Sequence, residues 1–545
     1  MFSQTYEIGQ YQPALSPEQR GKAAEQMAIS DGENFAWHLK GVFSAHSYAP
    51  VGEMAGPARL MAHPGVFWVK DRKCVFYANG VYELLDGEGP ALRLLFAYTS
   101  LVRHPKWDLE AYKWTYAYVG TKHWFCHPTV GCLIYYDEFD NTWGLRCDEC
   151  WNGPIYAITH ADNRLVVLLE DTVVWSRFDD GLVFDCDWRT GSGAQSLALV
   201  RYGQPFSVMP YNNGWLTFTS NSVMLSTPNY DQLMDPDGQR LTVGAVVYRH
   251  EEATFENQAF GPCAMTHVDE RQVIWLSATG FWTFAPTQGG GFGAVQPWQP
   301  LMGRFYREQL VKAVVESDLA GLDYFNVEYA KDCGWLFVSS KTSGLDLHYS
   351  RAHVLQLQLD RWGSMNNGHL GVGVGKQDRA ATGHRLQDTE SYGLFLPNGA
   401  LARADHLPRD FPSWVRFSGV RLQIPQEESL PAETVTSVQG IRAGTGKPWQ
   451  GVPTKGNLQS SWFAQTEAAE PETNFDLLIV SSDDEDTPNP DEQEYAQETL
   501  RTRSVTTYAC HSTGVVHSLI ATAFEPGQYF SLRHLELTYF FAGVK

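Results

Sequence analysis

The chain has 545 residues, 43% hydrophobic and 13% aromatic, enough to bury a large core, and by length alone roughly two to four domains are expected unless a repeat fold absorbs it. With 41 Lys and Arg against 62 Asp and Glu the net charge is −21, which disfavours a function that depends on neutralising nucleic-acid phosphates. No amino-terminal apolar core precedes a cleavage site and no apolar run approaches the ~18 residues of a membrane span, so a soluble chain without a secretory signal is expected. Its nine scattered cysteines are expected as reduced thiols rather than a disulfide framework.

In chain order, residues 1–13 are polar and aromatic without a period. Ser16 as N-cap, Pro17 at the first helical position and Gln19 at the capping-box position then predict one short helix running to about Ala28. Ala23, Ala24, Met27 and Ala28 give it a weak apolar stripe, suited to a strap over 1–48 that packs on the main body.

From Ser30-Asp31-Gly32 onward the pattern is one of strands and turns. Segments 65–70 and 74–85 flank Asp71-Arg72-Lys73 and Asn79-Gly80, and 114–119, 123–126 and 132–137 close at Asp140-Asn141. The chain is organised around 155–227, where 164–170 and 172–176 surround Glu170-Asp171, and 207–210, 215–220 and 222–226 surround Asn212-Asn213-Gly214 and Ser220-Asn221. Runs of β-branched and aromatic residues broken by Asn, Asp and Gly are antiparallel hairpins. Further units follow around Asp269-Glu270, around Ala278-Thr279-Gly280 and up to Asp360-Arg361-Trp362-Gly363, with a weaker one over 391–404.

Turns recurring at blade-like spacing imply a β-propeller of about six or seven blades. Each small sheet has two apolar faces that only its neighbours around an axis can cover. A β-sandwich or a pair of barrels is the competing architecture. The expected fold class is all-β, with the strap at 1–48, the propeller at 49–405 and a sandwich-like β-rich domain at 406–545. In that last domain 414–424, 475–481, 504–511, 515–522 and 529–541 are the expected strands, and 426–470 is a turn-rich insert.

Several constellations bear on chemistry. His123, Cys126, His127 and Cys132 precede Cys147 and Cys150, whose two-residue spacing is that of a zinc knuckle. There is no second such pair, and a cysteine inside a strand is ordinarily a small core residue. The acids Asp483 to Asp486, with Asp491, Glu492 and Glu494, lack the spacing and central glycine of a calcium loop and suit a solvated connection. The glycines of 289–293 and 371–375 do not form a phosphate loop, and neither a nucleophile elbow nor a metalloprotease helix occurs. Asp179 and Asp180, in a stretch reminiscent of the Asp-box of sialidase propellers but off by one in spacing, suit a blade turn, and as a carboxylate pair they are the place a glycosidase would use. No catalytic, cofactor-binding or metal residue is assigned, and no enzyme activity is expected.

The stretches 174–181, 193–199 and 215–223 resemble a pattern in virion tail proteins of tailed bacteriophages, especially the nozzle or hub propellers of short-tailed phages. Glu33-Asn34-Phe35-Ala36-Trp37 through Ala45 resembles their amino-terminal segment, and Cys510-His511-Ser512-Thr513-Gly514 through Ala542-Gly543 their closing strands.

The resemblance implies a structural virion protein that forms a closed ring, commonly a homohexamer, below the portal and the head-tail adaptor. It would retain packaged DNA and gate its ejection. Its implied partners are further copies of itself, adaptor proteins, tail fibre or spike proteins, and genomic DNA passing without sequence-specific binding. The implied location is the virion tail, after assembly in the host cytoplasm. A charge of −21 per subunit suits a lumen that must not grip phosphate, and inserts such as 288–299 or 426–470 would form the constriction. The alternatives are a glycan-binding or glycan-hydrolysing propeller, lectin-like or sialidase-like, and a minor tail protein of a long-tailed phage.

Overall fold

The computed structural model describes residues 65–70, 72–84, 92–98, 102–147, 153–178, 181, 182, 184, 195–199, 202–229, 247–286, 293–298, 323–330, 334–341 and 351–366, together with the further strands named below. Six antiparallel units of four strands follow one another along the chain, five as separate sheets and the sixth within a larger one. Blade one is Gly65–Val69, Arg72–Tyr77, Gly80–Leu84 and Leu92–Ala97. Blade two is Thr115–Val119, Lys122–Cys126, Leu133–Asp137 and Thr142–Arg146, and blade three is Ala157–Ala161, Arg164–Leu168, Thr172–Trp175 and Gln195–Ala198. Blade four is Pro205–Tyr211, Gly214–Thr219, Val223–Asn229 and Val247–Thr254, and blade five is Met265–Asp269, Gln272–Ser277, Gly280–Ala285 and Ala294–Pro297. Blade six is Phe325–Ala330, Trp335–Ser340, Arg351–Gln356 and Arg361–Asn366. The fold is a six-bladed β-propeller.

Neighbouring blades share their cores, which is the physical reason the sheets stack rather than stand apart. Blades one and two interleave Phe67, Phe76, Phe125 and Ile134, with the Phe76 and Phe125 rings 4.4 Å apart. Blades two and three share Ala117, Trp124, Ile158 and Leu165, three and four share Val166, Trp175, Trp215 and Tyr248, and four and five share Phe218, Val273 and Trp275. Each large side chain removed from water in these seams contributes about 1.5–3 kcal/mol.

Within the amino-terminal 48 residues, the described part of the expected helix is a strand. Gln26–Ile29, placed by the capping signals at the helix end, is a strand that pairs in parallel with Phe2–Tyr11, matching Glu7 to Gln26 and Ile8 to Met27. The stripe was weak, and tertiary pairing overrides marginal helix propensity. The predicted helix start at Ser16 and Pro17 lies outside the described residues.

Phe2–Tyr11 pairs in turn with His534–Phe541, beside Val415–Gln423 and Val505–Tyr508. A second sheet orders Asp31–Glu33, Ala400–Asp405, Val516–Ala523 and Asp476–Ser482. Ala400–Asp405 was expected in a blade. It pairs instead with Val516–Ala523 over six residues, because its Ala-Leu-Ala-Arg-Ala-Asp alternation serves any antiparallel edge. Tyr392–Leu394 makes a separate hairpin with Gly383–Arg385, and the described strands within 426–470 are the short pair Gly440–Ile441 and Pro448–Trp449.

Blade six is extended outward by Phe35–His38, Gly41–Ser44 and Ser531–Leu532 into a seven-stranded sheet. Phe35 lies opposite Ser364. Gly363 is needed there, since a Cβ would collide with the Phe35 carbonyl. Trp335 Nε1 donates to the Trp37 carbonyl at 2.8 Å, and the Arg361 guanidinium lies 4.5 Å from the Trp37 ring centroid.

Candidate functional site at the two ends of the propeller axis

All six innermost strands start at one end of the ring and turn back at the other. At the strand-start end, the connection from blade one to blade two crosses the axis. Val102 N donates to the Thr129 carbonyl at 2.7 Å. His104 Nδ1 accepts from Lys106 N and Trp107 N, both at 3.1 Å, and its Nε2 reaches Glu170 Oε1 of blade three at 3.2 Å. Asp108 caps the 3-10 turn Leu109–Ala111 by accepting from Glu110 N at 3.0 Å.

That turn aims two side chains at the far blades. Tyr112, 1% exposed, donates its hydroxyl to the Pro205 carbonyl of blade four at 2.6 Å and accepts from Gln204 Nε2 at 3.0 Å. Burial pushes its phenol well above the usual range, so it stays a neutral donor. His127 Nε2 donates to the Tyr112 carbonyl at 2.9 Å, which fixes the tautomer and leaves Nδ1 to accept from Thr129. Lys113 Nζ donates to the Met265 carbonyl of blade five at 2.6 Å, to the Val327 carbonyl of blade six at 3.1 Å, and to Glu328 Oε1 at 3.0 Å. Blades two and five face each other across a six-membered ring, so this lysine spans the axis.

A second ion pair, Lys341 Nζ to Asp323 Oδ2 at 2.6 Å, is also buried. Cys263 donates to the Ala111 carbonyl at 3.2 Å, and burial holds its thiol far above the usual range despite the nearby Lys113. A thiol held protonated is a packing group, not a nucleophile. The end is therefore a stopper built of hydrogen bonds and paired charges.

The turn end is different. Asp162, Asn163 and Asn212 adopt left-handed backbone with φ of 45°, 56° and 50°, as two-residue hairpin turns require and Asn or Asp tolerate. Asn212 N donates to the Glu270 carbonyl, tying blade four to blade five. Burial lowers the His160 pKa, with Glu270 opposing, and burial raises that of Asp162, with Arg164 opposing. The connections at 176–194, 230–246 and 286–293, each between a third and an outer strand, leave from this end.

Near its rim Tyr116 OH meets His123 Nδ1 at 3.1 Å, His123 Nε2 meets Glu138 Oε1 at 2.9 Å, and Tyr118 OH donates to Glu138 Oε2 at 2.9 Å. Lys70 of blade one donates to the Glu138 carbonyl at 3.1 Å and to Asn141 Oδ1 at 2.6 Å. His123 is fully buried while Tyr116, Tyr118 and Glu138 are half-buried, and through Lys70 the relay latches blade one to blade two.

Of the residues singled out in sequence, the described ones are engaged separately. His123 and His127 are occupied as described, and Cys126 donates to the Ile155 carbonyl at 3.1 Å with its thiol pushed up by burial. Cys132 and Cys147 are joined in a disulfide with Cα atoms 4.7 Å apart, which corrects the expectation of reduced thiols. The pairing follows from register: Leu133 lies opposite Arg146, so the next residues out meet across the hairpin. Cys150 lies outside the described residues, as do Asp179, Asp180, the acidic run from Asp483 and the glycines of 371–375. Among the described residues no three His, Cys, Asp or Glu side chains are placed to share an ion.

The start of the Asp-box-like stretch is a blade turn. Ser176 Oγ accepts from Leu165 N at 2.9 Å, and buried Arg164 donates to the Ser176 carbonyl at 3.0 Å. Sequence reasoning missed Tyr112 and Lys113. A lone lysine between a tyrosine and a tryptophan on a connecting segment gives no periodic signal.

The described residues thus define a six-bladed propeller with a self-stoppered axis. No protein-family model and no curated protein matches the sequence. Among solved structures the chain is similar to the β-propeller domain of Myceliophteria thermophila Cps50 (Swd1), at 9% identity and a TM-score of 0.36 over 64% of this chain and 99% of that one. It is also similar to a streptogramin B lyase, at 9% identity and 0.37 over 65% and 97%, and to Kluyveromyces lactis Hsv2, at 12% identity and 0.31 over 64% and 95%.

One acid-sensitive element lies in blade four. Ser226 Oγ and His250 Nδ1 are hydrogen-bonded at 2.8 Å, beside the Trp175 and Trp215 rings, and burial lowers the His250 pKa to about 4. The folded state resists a proton that the unfolded chain takes up near the usual 6.5. Stability is therefore unaffected above that pH and falls between 6.5 and about 4. Allowing for partial solvent access, about 2 kcal/mol should be lost across the window. Denaturant midpoints at successive pH values should fall less steeply for His250→Asn than for the parent protein, and equal slopes would exclude His250 as the cause.

Proposed function

We propose that this chain is a structural virion protein, a tail nozzle or hub propeller of a short-tailed bacteriophage, with no catalytic role. Copies would close into a ring below the portal and adaptor, retain packaged DNA and let it pass on ejection. They would meet adaptor proteins on one side and fibre or spike proteins on another. The observation that supports this reading best is the charge of −21 per subunit, which multiplies around a ring into a lumen that repels phosphate instead of gripping it. Because Tyr112 and Lys113 stopper the propeller axis, the passage in this reading lies between subunits and not through a propeller.

Mass photometry of the purified chain, at low and at high salt to screen subunit repulsion, tests it. A cyclic assembly of about six copies is expected. A stable monomer that never assembles, and that binds or hydrolyses glycans, would move the assignment to a lectin-like or sialidase-like propeller, with Asp179 and Asp180 on the 176–194 connection as the first place to look. A ring bound to a long-tailed particle would keep the chemistry and change only the neighbours.

A further inference from the structure

The large apolar side chains left exposed are not spread evenly. Five stand out among the described residues, Leu94, Phe139, Leu145, Phe178 and Phe255, and three of them are on blades one and two. Leu94, 50% exposed, is on the outer strand of blade one, and Leu145, 37% exposed, is on that of blade two. Phe139, 83% exposed, tips the hairpin of blade two that ends in the same outer strand. The two outer strands are locked side by side, since Phe96 stacks on Trp143 with ring centroids 6.3 Å apart and planes 17° from parallel. The Cys132–Cys147 disulfide fastens the foot of the blade-two hairpin, and Lys70 fastens its tip to blade one.

The charge of this region is as unusual as its exposure. Nine Lys and Arg and nine Asp and Glu fall between residues 65 and 146, so the stretch that holds these two blades and the connection between them has no net charge, while the rest of the chain carries the whole −21. Arg93 of the outer strand is paired with Glu83, and Arg72 lies 4.0 Å from the same carboxylate. Two copies of a strongly acidic chain approach at least cost where one of them presents no net charge, and interface cores are depleted of charge and rich in apolar anchors. A pre-stiffened platform also loses little freedom on binding.

We infer that the outer edges of blades one and two are a self-association surface whose occupant is a second copy of this chain. This deepens the ring reading and rests on it for the closure of the assembly, though not for the contact itself. The contact is apolar, so concentrated salt should strengthen it by screening repulsion elsewhere.

The test compares the full chain with the double variant Leu94→Glu, Leu145→Glu and with Phe178→Glu as a control on blade three, by mass photometry and sedimentation over a concentration series. Both positions are exposed, so melting temperatures should be unchanged. Half-assembly of the double variant should require about tenfold more protein or more, the equivalent of at least ~1.4 kcal/mol, while the control assembles like the parent. If the parent forms rings and the double variant forms them equally well, the surface is wrong and the ring reading survives. If the parent forms only dimers and the double variant abolishes them, the surface stands and the ring reading fails. A parent that is monomeric at every concentration and salt overturns both.

Discussion

Replacing Lys113 by methionine should destabilise the propeller by about 3 kcal/mol, the scale for removing one member of a buried ion pair. The Lys113 and Glu328 side chains are only 13% and 11% exposed, so the carboxylate left behind has little water to replace its partner. The Met265 and Val327 carbonyls lose a donor at the same time. The double variant Lys113→Met, Glu328→Gln should recover much of the loss, because it removes the charge that Lys113 balanced and not only the attraction. A thermodynamic cycle over the two singles and the double, read from denaturant midpoints at constant slope, measures that coupling. A loss below about 1 kcal/mol for Lys113→Met would mean that the stopper is ornamental and that the shared cores between blades hold the ring alone.

That result would also bear on ring closure. Blade six takes all four of its strands from one consecutive stretch, 325–366, and the amino-terminal strands Phe35–His38 and Gly41–Ser44 add outside the fourth. Among the described residues no terminal strand completes a blade from within. The hub formed by residues 102–114 is a tie that joins blade two to blades three, four, five and six at once.

The blades were legible in the sequence because their signals are local. Arg164–Leu168 and Thr172–Trp175 sit within two residues of the positions expected from the Glu170-Asp171 turn, and Asn212-Asn213-Gly214 turns where hairpin chemistry demands it. The boundary strands were less legible. Gln26–Ile29 reads as the tail of a capped helix, and only its long-range pairing with Phe2–Tyr11 makes it a strand. Ala400–Asp405 fits a blade edge or another sheet equally well, and the choice is made by Val516–Ala523, more than a hundred residues away. The axial stopper was invisible for a related reason. Tyr112 and Lys113 act through carbonyls of Pro205, Met265 and Val327, and a carbonyl acceptor carries no residue-type signature. The cysteine pairing was hidden behind the more conspicuous spacing of Cys147 and Cys150, although the register of Leu133 with Arg146 determines it.

Breaking that disulfide is the second change expected to have a large effect. Cys132 and Cys147 are 15 residues apart, and closing a loop of that length removes about 3 kcal/mol of unfolded-state entropy in the chain-entropy description. Reduction, or the double variant Cys132→Ala, Cys147→Ala, should therefore lower stability by about 2–3 kcal/mol, with Cys132→Ala alone giving a similar loss. Thiol titration in denaturant should yield at least two more thiols after reduction than before. The buried thiols of Cys74, Cys126 and Cys263, all pushed up by burial, should react only on unfolding and so report the unfolding rate. Because thiols stay reduced in a reducing compartment, chain made under reducing conditions would gain this bond on reaching an oxidising medium. Chain taken directly from a reducing lysate should then melt lower than chain exposed to air, and the gap should vanish in the double alanine variant. Equal melting of reduced and oxidised parent protein would show that the blade-two hairpin, with Lys122 on Asp137 and Lys70 on Asn141, is held without it.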